Sequence, residues 1–331
     1  MKRILIFLFT FALCVSIQAR AKAKPMEAYL FVYFTGNNPS QEQLKFAVSM
    51  DGYNWTPLNN GKKVVDMDGV ARWKCIRDPH ILRGEDGKSF YMVMTDMKSS
   101  EGWASNDGIV MAKSTDLVNW KMAAVDFPTA FPNLFSRESC ERVWAPQAIW
   151  DSNAKKYMIY YALQYKGQIL TMFRSYANKD FTSISEPEKM VDYGRDILDA
   201  DIIATDSCYH MFLSGIWKVT SKSLDGPWSR LMEERLQPTH MAAEGPCVFK
   251  RIQGDWCLMY DCYQNGEFNF CRSDDLEHFD LVARTEVKGD FTPRHGTVMA
   301  ITHKELLRLL KAFPTDGLTI EKLRMKAMPE K

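Results

Sequence analysis

The chain has no surplus of charge: its 331 residues carry 42 Lys and Arg against 41 Asp and Glu. That balance leaves no basic footprint for nucleic acid and no polybasic surface for an anionic membrane. There is no Cys-x-x-Cys pair and no cysteine–histidine spacing of the zinc type. No Gly-, Ser- or Pro-rich tract divides the sequence, so residues 22–331 are expected to form a single domain. Long apolar runs are scarce too. The run from Ile4 to Ile17 falls short of the roughly 20 residues that a spanning helix takes.

What that run does have is a basic start at Lys2-Arg3 and small residues at Ala19-Arg20-Ala21. Residues 1–21 read as a secretory signal peptide, so the protein is expected to be periplasmic or secreted, without membrane insertion. Loss of Cys14 leaves seven cysteines, an odd number for an exported protein. Several lie inside apolar strand patterns, where a thiol acts as a small hydrophobe.

Aromatic residues are plentiful, and they recur. Ser49-x-Asp51-x-x-x-Trp55 returns as Ser114-x-Asp116-x-x-x-Trp120. Weaker copies follow at Ser175…Phe181, Ser223-x-Asp225-x-x-Trp228 and Ser273-x-Asp275-x-x-x-Phe279. Five copies, roughly 50 to 65 residues apart, suit propeller blades. Each follows an aromatic-rich, β-prone run, at 29–34, 90–95, 157–161, 209–214 and 256–260. The Trp and Phe residues of the repeat are expected to pack the blades rather than to bind a ligand.

A further strand precedes four of these runs, at 78–82, 144–150, 199–204 and 244–250. The first unit lacks one, and the missing strand appears near the far end, at 295–301. The expected fold is all-β: a five-bladed β-propeller of four-stranded blades, closed by N- and C-terminal strands in one shared blade. Such closure leaves no open sheet edge. Thr302-x-x-Glu305 has capping-box spacing before Leu306, Leu307, Leu309 and Leu310, so a short amphipathic helix should follow.

In an up-and-down blade the inner strands all begin on one face. That face also carries the long, aromatic loops, with Trp103 in one of them, and long loops on a rigid scaffold build binding sites. The inner strands begin Arg77-Asp78-Pro79-His80, Trp144-Ala145-Pro146-Gln147, Leu198-Asp199-Ala200-Asp201, Glu244-Gly245-Pro246 and Arg294-His295-Gly296. Asp78, Asp199 and Glu244 would thus stand at matching positions around the channel mouth. One aspartate at a strand start is ordinary turn chemistry. Three crowded carboxylates are not, because like charges repel. Carboxyl groups flanking a pocket suit glycosidic cleavage, which needs an acid for the leaving oxygen and a carboxylate to activate water or to attack. Trp103, Trp144, Gln147, Arg294 and His295 are the candidate substrate contacts on that face.

At these motifs the chain resembles glycoside hydrolase family 43, the five-bladed arabinofuranosidases, xylosidases and arabinanases, over nearly all of its mature length. The likeness rests on Asp78-Pro79, Trp144-Ala145-Pro146, Asp199, Glu244-Gly245-Pro246 and His295. It implies an oligo- or polysaccharide substrate and an inverting reaction. Asp78 would be the general base, Glu244 the general acid, and Asp199 the residue that tunes and orients Glu244. It also implies His295 at the channel centre, where some relatives hold a calcium or sodium ion; no cofactor is otherwise required. The family's third-blade Asp is usually followed by Pro, and here Ala200 follows, so Asp199 and Asp201 are alternatives for the tuning role. The resemblance favours α-L-arabinofuranosidase activity, with β-xylosidase second. Competing readings are another five-bladed carbohydrate enzyme, such as a mannoside phosphorylase, and a sugar-binding propeller without catalysis.

Overall fold

The computed structural model describes residues 25–231, 234–286 and 291–327; the segment 1–21, read from the sequence as a signal peptide, lies outside them. Within these residues the Ser-x-Asp repeat forms a tight turn between the third and fourth strands of a blade. Ser49 Oγ donates to Asp51 Oδ1 at 2.9 Å, and that oxygen accepts the backbone N–H groups of Tyr53 and Asn54, both at 2.8 Å. Ser114 with Asp116 and Ser273 with Asp275 repeat the bond at 3.0 and 3.1 Å. A carboxylate that satisfies several nearby N–H groups fixes such a turn. Two copies differ. In the third, Asn178 replaces the aspartate and accepts Thr182 N–H. In the fourth the strand ends at Ser221 rather than Ser223, and Asp225 pairs with Arg174 instead.

In chain order the first blade contains β1 (Met26–Tyr33), β2 (Lys45–Ser49) and β3 (Thr56–Pro57). The second has β4 (Ile76–Arg83), β5 (Phe90–Asp96), β6 (Gly108–Ser114) and β7 (Lys121–Asp126), followed by a single turn, α1 (Phe127–Ala130). The third has β8 (Cys140–Asp151), β9 (Lys156–Tyr165), β10 (Thr171–Tyr176) and β11 (Glu188–Val191). The fourth has β12 (Asp201–Ala204), β13 (Tyr209–Leu213) and β14 (Trp217–Ser221), and the fifth β15 (Glu244–Lys250), β16 (Trp256–Cys262), β17 (Glu267–Ser273) and β18 (Asp280–Glu286). Finally β19 (Thr297–Thr302) returns to the first blade, where Val32 lies opposite Thr297 and Met26 opposite Thr302. All neighbours are antiparallel, and the ring is a five-bladed propeller closed by both ends of the chain.

The fourth blade departs from the expected four strands; it has three among the described residues. Its outer segment contains Pro227, which cannot donate to a ladder, and keeps a backbone bond from Ser229 N–H to Thr220 O at 2.8 Å.

Alternation sends successive side chains of β1 into different cores: Leu30 and Val32 pack toward the second blade, Tyr29, Phe31 and Tyr33 toward the fifth. A hydrophobic cluster of this kind fills each junction between neighbouring blades. Trp55, Phe181 and Phe279 of the repeat are buried there. The described cysteines form no disulfide, and all but Cys208 are buried.

Beyond β19, α2 (His303–Ala312) is capped by Thr302 and Glu305 in the reciprocal manner the spacing implies. Glu305 also holds Arg83 through bonds of 2.7 and 2.8 Å, while Leu306 and Leu309 are buried and Leu307 is exposed. A further helix, α3 (Ile320–Lys326), docks through Leu323. Among the described residues no helix is long and apolar enough to cross a membrane.

Candidate active site

One backbone irregularity, repeated around the ring, positions the site. Pairing with the next strand slips between Arg77 and His80 in β4, Trp144 and Gln147 in β8, and Glu244 and Cys247 in β15. Inside each slip one residue is left-handed: Asp78 at φ 48°, Ala145 at 46° and Gly245 at 57°, with Asp199 at 53° just before β12. Bulges of this kind re-aim side chains beside active sites.

The slips sort the strand-start residues into tiers. Asp78, Ala145, Asp199 and Gly245 share the left-handed position, and Arg77, Trp144, Leu198 and Glu244 share the position before it. On the closing strand, Arg294 N–H bonds Phe34 O at 2.9 Å, which aligns Arg294 with Glu244 and His295 with Asp78. The expectation of three carboxylates at matching positions is therefore corrected. Asp78 and Asp199 match; Glu244 stands one residue earlier, because Gly245 occupies the left-handed place. That place needs a glycine here, since a Cβ would come within 2.5 Å of His295 Cγ.

A third tier lies deeper: His80, Gln147, Asp201, Cys247 and Thr297. Its polar members bond groups of neighbouring strands. Thr297 Oγ1 accepts Ile81 N–H at 2.9 Å, Asp201 Oδ2 accepts Val248 N–H at 2.5 Å, and Gln147 Oε1 accepts the Tyr160 hydroxyl at 2.9 Å. Gln147 and Asp201 are buried in this tier and do not line the pocket.

The pocket itself is a cavity of about 280 Å³ above the upper two tiers. It brings together Asp78, Asp199, Glu244, Trp103, Trp144, Arg294 and His295 from the sequence-derived candidates, and adds Asn37, Arg77, Met97 and Tyr263. Trp103 and Tyr263 form an exposed rim, at 48% and 44% accessibility, and Trp103 meets Trp144 edge-on with centroids 6.1 Å apart.

At the floor, His295 Nδ1 lies 3.4 Å from Asp78 Oδ1 and 3.7 Å from Asp199 Oδ1. Asp78 Oδ2 accepts from Thr95 Oγ1 at 3.1 Å, and Thr95 Oγ1 accepts Ala145 N–H at 2.9 Å. Two blades on, Asp199 Oδ2 accepts from Ser214 Oγ at 2.5 Å and from Gly245 N–H at 3.2 Å. Ser214 thus repeats the role of Thr95. On the wall, Arg294 Nη2 donates to Glu244 Oε1 at 2.7 Å, and its Nε donates to buried Asp261 Oδ2 at 2.5 Å. Arg77 is held by Asn37 at 2.8 Å and Glu42 at 3.1 Å. Thr95, Ser214 and Asp261 were not singled out from the sequence. Each ends or follows an aromatic strand run opposite a strand-start residue, a position that counting along the repeat reaches.

These contacts divide the carboxyl groups by charge. Burial works against ionised Asp78, yet the close approach and charge of His295, with the charge of Arg77, hold its pKa below the usual carboxylate value. Burial raises that of Asp199, opposed by His295 and aided by Asp78. Burial, then the charges of Asp199 and Asp261, push Glu244 up to about 7 against the pull of Arg294. Burial disfavours charged His295, but Asp199 and Asp78 raise it to about 9, so it is an imidazolium at neutral pH. Asp201 is carried up to about 7 mainly by burial, opposed by its bond from Val248 N–H and by the charge of His295.

The channel-centre ion expected near His295 finds a poor donor set. Calcium takes six to eight oxygens, whereas His295 meets Asp78 and Asp199 as a cation in its own right. Among the described residues no group of three or more His, Cys, Asp or Glu side chains is arranged to hold a metal.

Five blades around a small pocket lined by two aspartates, a glutamate and two tryptophans define a propeller of the glycosidase class. A family model described as "Probable glycosyl hydrolase domain", related to glycoside hydrolase family 43, matches residues 24–306, and the chain belongs to that family. An α-L-arabinofuranosidase of Bifidobacterium longum subsp. longum is 24% identical over 211 residues, 57% of this chain. The match spans only 19% of that protein's length. Among solved structures, an endo-1,4-β-xylanase from Bacteroides thetaiotaomicron superposes with a TM-score of 0.57 at 14% identity, covering 83% of this chain and 98% of that one. A mutant of the family 43 protein BlXynB from Bacillus licheniformis gives 0.53 at 16% identity, covering 85% and 57%. At such identities the structural likeness speaks for the fold alone.

Proposed function

We propose that the protein hydrolyses glycosidic bonds with inversion at the terminal sugar of a plant-type oligo- or polysaccharide, with arabinofuranosyl linkages as the first choice and β-xylosyl linkages as the second. The observation that carries this reading is the separation of charge within one pocket: an ionised Asp78 faces the same cavity as a Glu244 whose proton is retained up to about pH 7. Asp78 takes a proton from water as the water oxygen bonds to the anomeric carbon. The bond from that carbon to the leaving oxygen breaks, and Glu244 delivers its proton to that oxygen. His295 holds Asp78 in the ionised form, and Asp199 keeps Glu244 protonated. Trp103 and Trp144 offer apolar walls to the sugar. The small volume favours a single terminal residue over an open cleft for mid-chain cutting. The sugar preference leans on the B. longum relative and on the family resemblance.

Phosphorolysis is disfavoured by the pocket's arginines. Arg77 is engaged by Glu42 and Asn37, and Arg294 by Glu244 and Asp261, so neither stands ready for a phosphate. A panel of aryl glycosides, with arabinofuranoside and xylopyranoside first and phosphate present or absent, tests the reading. Phosphate-independent release from the arabinofuranoside is expected. Release that requires phosphate, or turnover of neither pentoside, contradicts it.

A further inference from the structure

Beside the pocket, between the third and fourth blades, lies a second cleft of about 470 Å³. Its walls include Tyr193, Arg195, Trp217, Trp228 and Arg230. The guanidinium of Arg195 lies 4.4 Å from the Trp217 ring centroid, and that of Arg235 lies 5.3 Å from the same ring. Tyr193 donates its hydroxyl to Ser229 O at 2.8 Å and ties the two blades across the cleft.

The cleft's cations lack anions. Among the described residues, Arg195 and Arg230 of the cleft, and Arg235 against the Trp217 ring, have no carboxylate within 4.0 Å and donate no side-chain hydrogen bond. Elsewhere Arg77, Arg83, Arg137, Arg174, Arg251 and Arg294 each hold a carboxylate. Of the acids nearby in sequence, Asp192 is held by Lys189 and Gly194 N–H, Asp196 by Leu170 N–H and Asp225 by Arg174, while exposed Glu234 pairs with none of the three arginines. A guanidinium laid against an indole keeps its N–H edge free, and that edge fits a planar carboxylate with two parallel bonds.

The cleft and the pocket also share their supports. Arg195 lines the one and Asp199 the other, four residues along the same loop, a separation of at most about 14 Å. Ser214 holds Asp199, and Trp217 follows it on the same turn. A few sugar rings bridge such a gap.

We propose that this cleft binds the carboxylate of a uronic acid unit in the same glycan whose terminal linkage enters the pocket, an inference that rests on the glycosidase reading. Arg195 and Arg230 supply the charge, and Tyr193, Trp217 and Trp228 supply apolar walls for the sugar ring.

Titration calorimetry with three probes tests it: a xylo-oligosaccharide bearing glucuronic acid, the same compound with its carboxyl reduced, and a sulfated xylo-oligosaccharide of equal length. The acidic probe is expected to bind tighter than the reduced one by about tenfold or more, the scale of one charge-assisted hydrogen bond. Arg195→Gln and Arg230→Gln should each shrink that ratio toward one, whereas a misfolded variant would lose both affinities. Equal binding of acidic and reduced probes overturns the proposal, and so does a ratio that both variants leave intact. Tighter binding of the sulfated probe overturns the uronate assignment. Failure of the glycosidase reading is seen separately, as absence of turnover on every aryl glycoside.

Discussion

His295 is the charge that lets two carboxylates share one pocket floor. Without it, burial would press both Asp78 and Asp199 toward their neutral forms. Asp199 then acts on Glu244 through space, since its negative charge makes a second ionisation nearby unfavourable. The acid must be protonated to work, so activity should fall as pH rises through about 7, the value to which Glu244 is raised. Asp199→Asn keeps the shape and removes the charge, so Glu244 should ionise sooner and the basic limb of the pH–rate profile should move to lower pH, with a lower maximal rate. The shift belongs to the coupled pair rather than to one residue. Asp201→Asn is the control. Its carboxylate bonds Val248 N–H in the tier below, so the basic limb should stay in place. A limb that moves with Asp201 and not with Asp199 would reverse the two roles.

At the scale of elements, the bulge decides which side chain faces the sugar. Gly245 is left-handed, and a Cβ there would run into His295. Gly245→Ala should therefore cost about 1–2 kcal/mol from backbone strain alone, and more from the collision. Thermal unfolding measures the loss, and it should be accompanied by reduced activity because His295 is displaced. An unchanged melting temperature would contradict the assigned geometry. This element also marks where sequence reasoning stopped. The blade count, the shared first blade and the strand-start motifs were legible, because alternation, turn chemistry and the Ser-x-Asp repeat are local signals. The one-residue offset of Glu244 was not, because a bulge changes register without changing the spacing of residues along the chain. For the same reason Gln147, three residues after Trp144, reads as a substrate contact in the sequence and lies in the buried tier of the structure. Thr95, Ser214 and Asp261 were missed because their roles depend on what stands across a strand pair, which a linear motif does not reveal.

At the scale of the molecule, the ring is held shut by β19, which pairs with β1 and carries Arg294 and His295 at its entrance. Ring closure and the active site are thus one structural commitment. Removal of residues 292–331 would expose the inner edge of β1 and delete the imidazolium together. Such a chain should associate through the open edge, visible as aggregates on size-exclusion chromatography. A monodisperse, cooperatively unfolding product would contradict the closure argument.

The central claim is that Glu244 gives a proton to the leaving group while Asp78 activates water. Rates of Glu244→Gln and Asp78→Asn on aryl glycosides of graded leaving-group pKa test it most directly. Glu244→Gln should lose about 10²–10⁴-fold on poor leaving groups, as expected for a lost general acid, and far less on leaving groups that need no proton. Asp78→Asn should be crippled across the whole series. Two variants that fall in parallel with leaving-group pKa would contradict the account.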